Sequence, residues 1–385
     1  MYDVIIVGGG PAGSSAGRAA GMAGLKTLLI EKEEFPRYKP CGGGLSEHAR
    51  SFLDFSIPNY IQERNISGIR IFYKGKVLEN KKNKKFSTLV TRSIFDEFLI
   101  KKAKETGIEI RMGEKVIDFE EHDHFVIVQS NRSKYKSKYL IMAEGAQGTL
   151  KYNVRRRDKK HEYGVCMVTE VPLNEESTEF NQNKIDIHLD ITKMGYGWVF
   201  PHDNYSSVGI GGVLKHFSHP RKKMLTFLDF YNIKSNYKLK GHQIPGGGIN
   251  RKVSSSRTIL TGDAAGFVDT FAGEGLAYAI RSGQLAIKTI ENCIKNNEKN
   301  NDLKMYERLC EKEFGNDLKC SLFFTRLLHS FPRIFFNIMY NNQEVVDKYL
   351  DIPTNNCTYK KYVLWLFLRI PKFLIFNPNR LSKDN

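Results

Sequence analysis

The six cysteines of this 385-residue chain, Cys41, Cys166, Cys293, Cys310, Cys320 and Cys357, include no C-x-x-C pair and have no histidine at metal-ligand spacing. They read as reduced thiols of a cytoplasmic protein, which excludes a disulfide scaffold, an iron–sulfur cluster and a zinc centre. Apolar residues make up only 41% of the chain, the share of a soluble protein rather than one with several membrane spans. A leader peptide is not expected, because an apolar strand begins at residue 3. No internal repeat is present, and G-x-G-x-x-G occurs once, so a nicotinamide cofactor has no Rossmann unit of its own. Acidic residues are in deficit, 42 against 59 Lys and Arg, which leaves a net charge of +17.

That one glycine motif is placed where it carries meaning. Asp3-Val-Ile-Ile-Val7 is a short apolar strand that runs into Gly8, Gly10 and Gly13, and a helix of small residues follows from Ala12 to Ala23. Gly8 permits the tight turn, Gly10 lets the backbone approach a pyrophosphate, and Gly13 lets helix and strand pack closely. The helix aims its N-terminal amides at the phosphates. Lys26–Ile30 is the expected second parallel strand, and Glu31 at its end can accept ribose hydroxyls, with Lys32 beside it. The pattern predicts a dinucleotide site.

A second strand-to-glycine junction lies far downstream. Ile259-Leu-Thr-Gly262-Asp263 precedes Phe271-Ala-Gly273-Glu274-Gly275 and a helical run from Leu276 to Ile287. Alone, Asp263 reads as an ordinary cap at a strand-to-helix turn. Together with the N-terminal motif, the pairing resembles the Gly-Asp motif of the glutathione-reductase-like and hydroxybenzoate-hydroxylase-like flavoproteins. The resemblance implies FAD, with Asp263 on the ribityl chain and Gly273, Gly275 and Leu276 at a helix N-terminus aimed at the flavin ring.

Four further segments carry a family resemblance over roughly the first 290 residues. They are Phe35-Pro-Arg37-Tyr-Lys39-Pro40-Cys41-Gly42-Gly43-Gly44, Thr91-Arg92-Ser-Ile-Phe95-Asp96, Tyr196-Gly-Trp198-Val-Phe200-Pro201 with Val208-Gly-Ile-Gly211, and Ala143-Glu144-Gly145-Ala146. The chain resembles the geranylgeranyl reductase family, of the digeranylgeranylglycerophospholipid-reductase type on a hydroxybenzoate-hydroxylase-like fold. The last segment stands where relatives have Asp-Gly-Ala, and Asp269-Thr270 where many have proline second. The resemblance implies that Cys41, Gly42, Arg92 and Gly145 contact FAD, along with Gly8, Gly10, Ala12, Gly13, Glu31 and Lys32.

The family fold is α/β, with a discontinuous Rossmann-like FAD-binding domain, an antiparallel β-sheet substrate domain and a helical C-terminal region. On this sequence the boundaries fall at 1–48, 89–160 and 256–290 for the first, 49–88 and 161–255 for the second, and 291–385 for the third. Expected strands include Ile69–Tyr73, Lys76–Leu78, Ile108–Ile110, Val116–Phe119, Phe125–Val128 and Leu140–Ala143, with a helix over 93–106. Residues 161–255 alternate apolar and polar positions in short runs broken by Gly, Asn and Pro, the pattern of an antiparallel sheet. Its best strands are Val165–Val171, Lys184–Leu189, Gly197–Phe200 and Ser207–Val213. A charged linker occupies 295–304.

The implied activity poses a chemical problem. An isolated prenyl alkene has no carbonyl to take up electron density, so its reduction calls for protonation toward a tertiary cation together with hydride delivery. That requires an acid, an apolar tunnel and aromatic faces tolerant of positive charge. Tyr196, Trp198 and Phe200 alternate along one strand and share a face, suited either to such a tunnel or to core packing. Cys41 is the candidate polar group beside the flavin, so Cys41, Tyr196 and Trp198 are the catalytic candidates. Arg37 and Lys39 face a phosphate, of substrate or of FAD, or else solvent.

The positive charge lies in clusters: Lys81-Lys82 with Lys84-Lys85, Arg155-Arg156-Arg157 with Lys159-Lys160, Arg221-Lys222-Lys223, and the C-terminal region. No nucleic-acid motif accompanies them, so nucleic acid is not an expected partner. Residues 359–376 combine aromatics with flanking cations, too short for the about 20 residues of a span. They can lie in a membrane interface or pack on the protein itself, and monotopic attachment of a cytoplasmic enzyme is the expectation. The electron donor is NADPH or a reduced ferredoxin. Two other functions remain open on this fold, a flavin monooxygenase or halogenase and an electron carrier to quinone. The W-x-W-x-I-P signature of tryptophan halogenases is only partly echoed by Tyr196–Pro201.

Overall fold

The first strand, Tyr2–Val7, is buried on both faces from Val4 onward, which places it in the middle of a sheet. It pairs in parallel with Thr27–Ile30 on one side and Lys134–Met142 on the other. Glu109–Arg111 and Thr258–Leu260 extend the parallel set at either flank, and Val126–Ser130 with Val116–Glu121 adds an antiparallel pair. The computed structural model describes residues 1–80, 83–173, 183–234, 237–246, 251–296 and 302–375. Lys81 and Lys82, linker residues 297–301 and Phe376 lie outside the described residues.

Two helices carry the site-forming turns of this sheet. Pro11–Met22 and Leu276–Lys295 meet so closely that a Cβ on Gly283 would stand 2.3 Å from the Ala12 carbonyl oxygen. That approach fixes the two glycine-rich turns, far apart in sequence, against one another. Helix Arg92–Lys104 packs beside them.

The second sheet runs in the order Lys240–Pro245, Tyr163–Pro172, Tyr205–Val213, Gly195–Pro201, Lys184–His188, Gly68–Tyr73 and Lys76–Glu79. The sequence predicts an antiparallel sheet, and one junction departs from it: Lys184–His188 pairs in parallel with Gly68–Tyr73. These strands are joined by a long excursion through the first domain, so no hairpin imposes antiparallel pairing. Arg70 and Asp186 oppose one another across the junction, in a bidentate pair with both contacts at 2.7 Å.

A third sheet, unforeseen from sequence, joins Gly44–Ser46, Ser87–Leu89 and Arg64–Ile66. Segment 49–88 therefore divides. Ala49, Ile57 and Ile61 pack with Phe95, Phe98 and Leu99, whereas Ile69, Ile71 and Leu78 share a core with the C-terminal helices.

Those helices are Asn316–Ser330, Pro332–Asn341, Glu344–Tyr349 and Tyr359–Ile375. The last packs one side on the protein itself and leaves apolar residues exposed on the other. Tyr359, Tyr362 and Leu366 are buried in the core, while Leu364 and Leu368 are 60% and 71% exposed. Among the described residues no helix is long and apolar enough to cross a membrane. One of the basic clusters is partly internal: Arg155 is buried, donating to both Asp158 carboxylate oxygens and to the Ala264 carbonyl.

Candidate cofactor and substrate site

The first glycine turn is built by backbone approach. Gly8 has φ +103° and lies where a Cβ would be 2.4 Å from the Ala143 carbonyl oxygen, so only glycine fits. A Cβ on Gly13 would stand 1.8 Å from the Gly8 carbonyl oxygen, and this glycine lets helix Pro11–Met22 sit directly on the turn. Glu31 is buried at the end of the neighbouring strand. Its Oε2 accepts the Gly9 N–H at 2.5 Å and its Oε1 the Glu33 N–H at 2.9 Å. The carboxylate thus braces the turn and keeps further lone pairs for ribose hydroxyls.

A cavity of about 950 Å³ opens from this turn and runs between the two large sheets and the C-terminal helices. Gly8, Gly10, Ala12, Glu31, Lys32, Cys41, Gly42, Arg92, Gly145, Asp263, Gly273, Gly275 and Leu276 all line it, as do Tyr196, Trp198 and Phe200. Gly13 does not; it acts from behind the turn. Asp263 Oδ1 lies 3.4 Å from where a Gly275 Cβ would be, so the second strand-to-glycine junction folds onto itself at the cavity wall.

One part of the wall is cationic. Arg92 donates to both oxygens of Asp96 at 2.9 and 3.0 Å, and Arg37 pairs with the same carboxylate at 2.8 Å. Burial would lower the Arg92 guanidinium, but Asp96 and Cys41 together outweigh it and hold the group above its ordinary value. Two guanidinium groups share one fully buried acid, which leaves a positive excess. Arg37 Nη1 is buried without a partner among the described residues, and Arg37 Nη2 lies 3.5 Å from the position of a Gly10 Cβ. Lys39 Nζ and His242 Nε2 share a hydrogen bond of 2.6 Å; burial lowers the lysine and pushes the imidazole down to about 3. A glycine turn, a helix N-terminus, a guanidinium beside Gly10 with one nitrogen unpartnered among the described residues, and a carboxylate at Asp263 fit the diphosphate and ribityl parts of FAD.

The aromatic strand closes another side. Tyr196 Oη donates to the Ala272 carbonyl at 2.7 Å, and burial raises its phenol above the ordinary range. Trp198 packs over Gly209 and donates from Nε1 to Ser207 Oγ at 3.4 Å. Phe200 covers Gly42, where a Cβ would meet its ring at 2.8 Å. The half-buried Cys41 accepts the Gly43 N–H at Sγ, at 3.4 Å. His202, one residue past the Tyr196–Pro201 segment, was not singled out from sequence. Its Nε2 contacts the Gly42 carbonyl at 3.0 Å and its Nδ1 contacts Glu63 Oε2 at 2.5 Å, which fixes the segment carrying Cys41.

Sequence reasoning missed two other sets. An apolar wall comes from Ile69, Ile71, Ile185 and Ile187 of the second sheet and from Leu328, Met339, Val346 and Leu350 of the C-terminal helices. Their spacing signals amphipathic elements and nothing about a ligand. Glu274 also lines the cavity and accepts the Ser46 hydroxyl at Oε1. Burial, with Asp269 nearby adding to it, pushes Glu274 up to about 7. Its place between Gly273 and Gly275 was the signal available.

The FAD binding domain family model matches residues 1–207. The chain is 32% identical over 344 residues to an uncharacterised protein of Methanosarcina barkeri, covering 88% of this chain and 86% of that one. It is 28% identical over 327 residues to geranylgeranyl diphosphate reductase of Rhodobacter capsulatus, covering 83% and 82%. Against digeranylgeranylglycerophospholipid reductase of Methanococcus aeolicus the identity is 27% over 359 residues, covering 88% and 89%. A geranylgeranyl bacteriochlorophyll reductase-like protein of Thermoplasma acidophilum superposes with TM-score 0.81 at 21% identity, covering 98% of each chain. A flavin-dependent brominase superposes with TM-score 0.74 at 19% identity, covering 96% and 99%. The last two similarities establish the fold.

Proposed function

The chain belongs to the FAD binding domain family of flavin-dependent oxidoreductases, and from that membership we propose that it is a prenyl reductase, saturating double bonds of geranylgeranyl chains in an isoprenoid lipid precursor. One observation carries the reading. The cationic, glycine-lined part of the cavity is continuous with an apolar wall of isoleucines and C-terminal helix residues, as a long hydrocarbon substrate beside a dinucleotide requires. Relatives named for geranylgeranyl diphosphate and for a digeranylgeranyl phospholipid support the substrate class, and the headgroup is one of these two kinds.

When bound and reduced, FAD supplies the two electrons of the saturation. Gly8, Gly10, Arg37 and Glu31 hold its ADP half, and Asp263 its ribityl chain. Tyr196, Trp198 and Phe200 orient the prenyl chain and offer π-faces to a cationic transition state. The helices that bury Leu328, Met339 and Leu350 at the cavity exclude water from it. Cys41 shapes the segment between the aromatic strand and Arg92. The division into a discontinuous FAD domain, a sheet domain and a helical region is retained in this reading. So is peripheral membrane binding through the exposed side of Tyr359–Ile375, where Leu364, Phe367 and Leu368 stand beside exposed Lys360, Lys361 and Lys372. NADPH or a reduced ferredoxin is the donor.

Chemically reduced protein, held anaerobically with a geranylgeranyl lipid, should raise the product mass by about two units per saturated bond while the flavin returns to its oxidised yellow form. Trp198→Ala should slow that turnover and leave flavin content intact. The brominase-like fold favours one second reading, oxygen-dependent chemistry. A product gaining one oxygen, with substrate-coupled oxygen consumption, would establish it instead. Unchanged lipid with flavin reoxidised by a quinone would make the protein an electron carrier.

A further inference from the structure

Saturating an isolated alkene consumes a proton as well as a hydride, and the reading above leaves the source of that proton unnamed. We propose that Glu274 is the proton donor to the prenyl double bond, an inference that rests on the prenyl-reductase reading. Glu274 lines the cavity from the loop that leads into helix Leu276–Lys295. The preceding residue touches the aromatic strand, since a Cβ on Gly273 would lie 2.6 Å from Tyr196 Oη. The carboxyl group is held by Ser46 on the wall of the cavity that Tyr196, Trp198 and Phe200 also line. Ser46 donates to Oε1, and among the described residues Oε2 makes no hydrogen bond. An acid anchored through one oxygen with the other unengaged can present its proton to the cavity.

The other titratable groups on this wall are poorer donors. The Tyr196 proton is engaged by the Ala272 carbonyl, and burial raises that phenol. Burial pushes the Cys166 thiol up to about 12. His242 and His329 are pushed down by burial to about 3 and about 4, so at neutral pH they have no acidic proton to give. Glu274 at about 7 keeps its proton near neutrality and remains a far stronger acid than the thiol or the phenol. Among the described residues the groups that face it include no cation. Asp269 comes from its own loop, Tyr278 from the following helix and Tyr349 from the C-terminal helices, and burial raises all three.

The step balances as follows. The O–H bond of Glu274 breaks while a C–H bond forms at the less substituted alkene carbon, and positive charge develops at the tertiary carbon. That centre would be closed by a hydride, two electrons, which FAD would supply when bound and reduced, and the glutamate left as carboxylate is reprotonated from water.

The test is Glu274→Gln in the holoprotein. Anaerobic single turnover of a geranylgeranyl lipid by dithionite-reduced protein should fall about 100-fold or more. Flavin content and the rate of flavin reduction should hold. Wild-type turnover should decline above about pH 7, Glu274→Gln should lack that decline, and Glu274→Asp should restore part of the rate. Flavin-free protein gives a second readout. Glu274→Gln should become more stable relative to wild type as pH rises from 5 to 8, because burial opposes ionisation only of the native glutamate. Wild-type rate and pH profile in Glu274→Gln, with wild type active, overturn the proposal and leave the prenyl-reductase reading standing. No saturation by wild type overturns both.

Discussion

Tyr359 Oη donates a 2.5 Å hydrogen bond to Asp269 Oδ2, joining the C-terminal helix to the loop that carries Gly273 and Glu274. The other carboxylate oxygen accepts the Phe271 N–H at 2.8 Å and the Ser321 hydroxyl. Asp269 is buried, and burial raises it despite these donors. One acid therefore ties the cofactor loop to two helices of a region that shares no motif with it.

Tyr359→Phe should cost about 1–3 kcal/mol of stability, because it leaves a buried acceptor short of a donor. Urea unfolding measures the loss. Limited proteolysis should show earlier cleavage within the C-terminal helices. A variant as stable as wild type would show that Ser321 and the backbone suffice for Asp269.

Asp263→Ala should weaken FAD retention by about 1.5–3 kcal/mol, the worth of a hydrogen bond to a charged group. That is roughly a 10- to 100-fold rise in the dissociation constant. Ultrafiltration of the yellow protein followed by absorbance of the filtrate reads it directly. Unchanged retention would remove Asp263 from the ribityl contact.

Binding to anionic vesicles should weaken as salt rises, since exposed charges are screened over about 10 Å at 0.1 M. Deleting the tail is a poor probe, because Tyr359 and Tyr362 belong to the core. Replacing the exposed Leu364 and Leu368 together with Ser leaves that core intact. Vesicle co-sedimentation should fall about tenfold, consistent with the roughly 1–3 kcal/mol lost with two partly inserted side chains. Equal sedimentation of the double variant would displace the membrane face from this helix.

Lys151 supplies a pH test just behind the cavity wall. It is 1% exposed, its Nζ donates to the Gly145 and Ala146 carbonyls, and burial pushes it down to about 8. An unfolded lysine titrates near about 10.4, so between these values the unfolded chain holds the extra proton and stability gained from this group rises with pH. The stability of wild type relative to Lys151→Met should therefore increase by about 1–3 kcal/mol from pH 7 to pH 10. Urea unfolding at the two pH values measures it. A pH-independent difference would mean that Lys151 titrates as an exposed lysine.

The FAD half of the protein was legible because its chemistry is local. A glycine turn requires glycine at Gly8 whatever surrounds it, and the strands that end just before Glu31 and Asp263 each fix a carboxylate at their own C-terminal end. Alternation at Tyr196, Trp198 and Phe200 likewise put three aromatics on one face before any partner was known. The parallel junction of Lys184–His188 with Gly68–Tyr73 was not legible, because strands without a hairpin between them can pair in either sense.

The sequence by itself determined the cofactor fold, the order of the two glycine junctions and the residue types that line the cavity beside them. Only the tertiary structure decided that Arg37 and Arg92 share Asp96, that the C-terminal helices wall the cavity, and that Glu274 is held, half-buried, by Ser46. Local motifs are set by backbone geometry within a few residues. Burial and charge pairing are set by neighbours hundreds of residues away, and no spacing along the chain records which neighbours those will be.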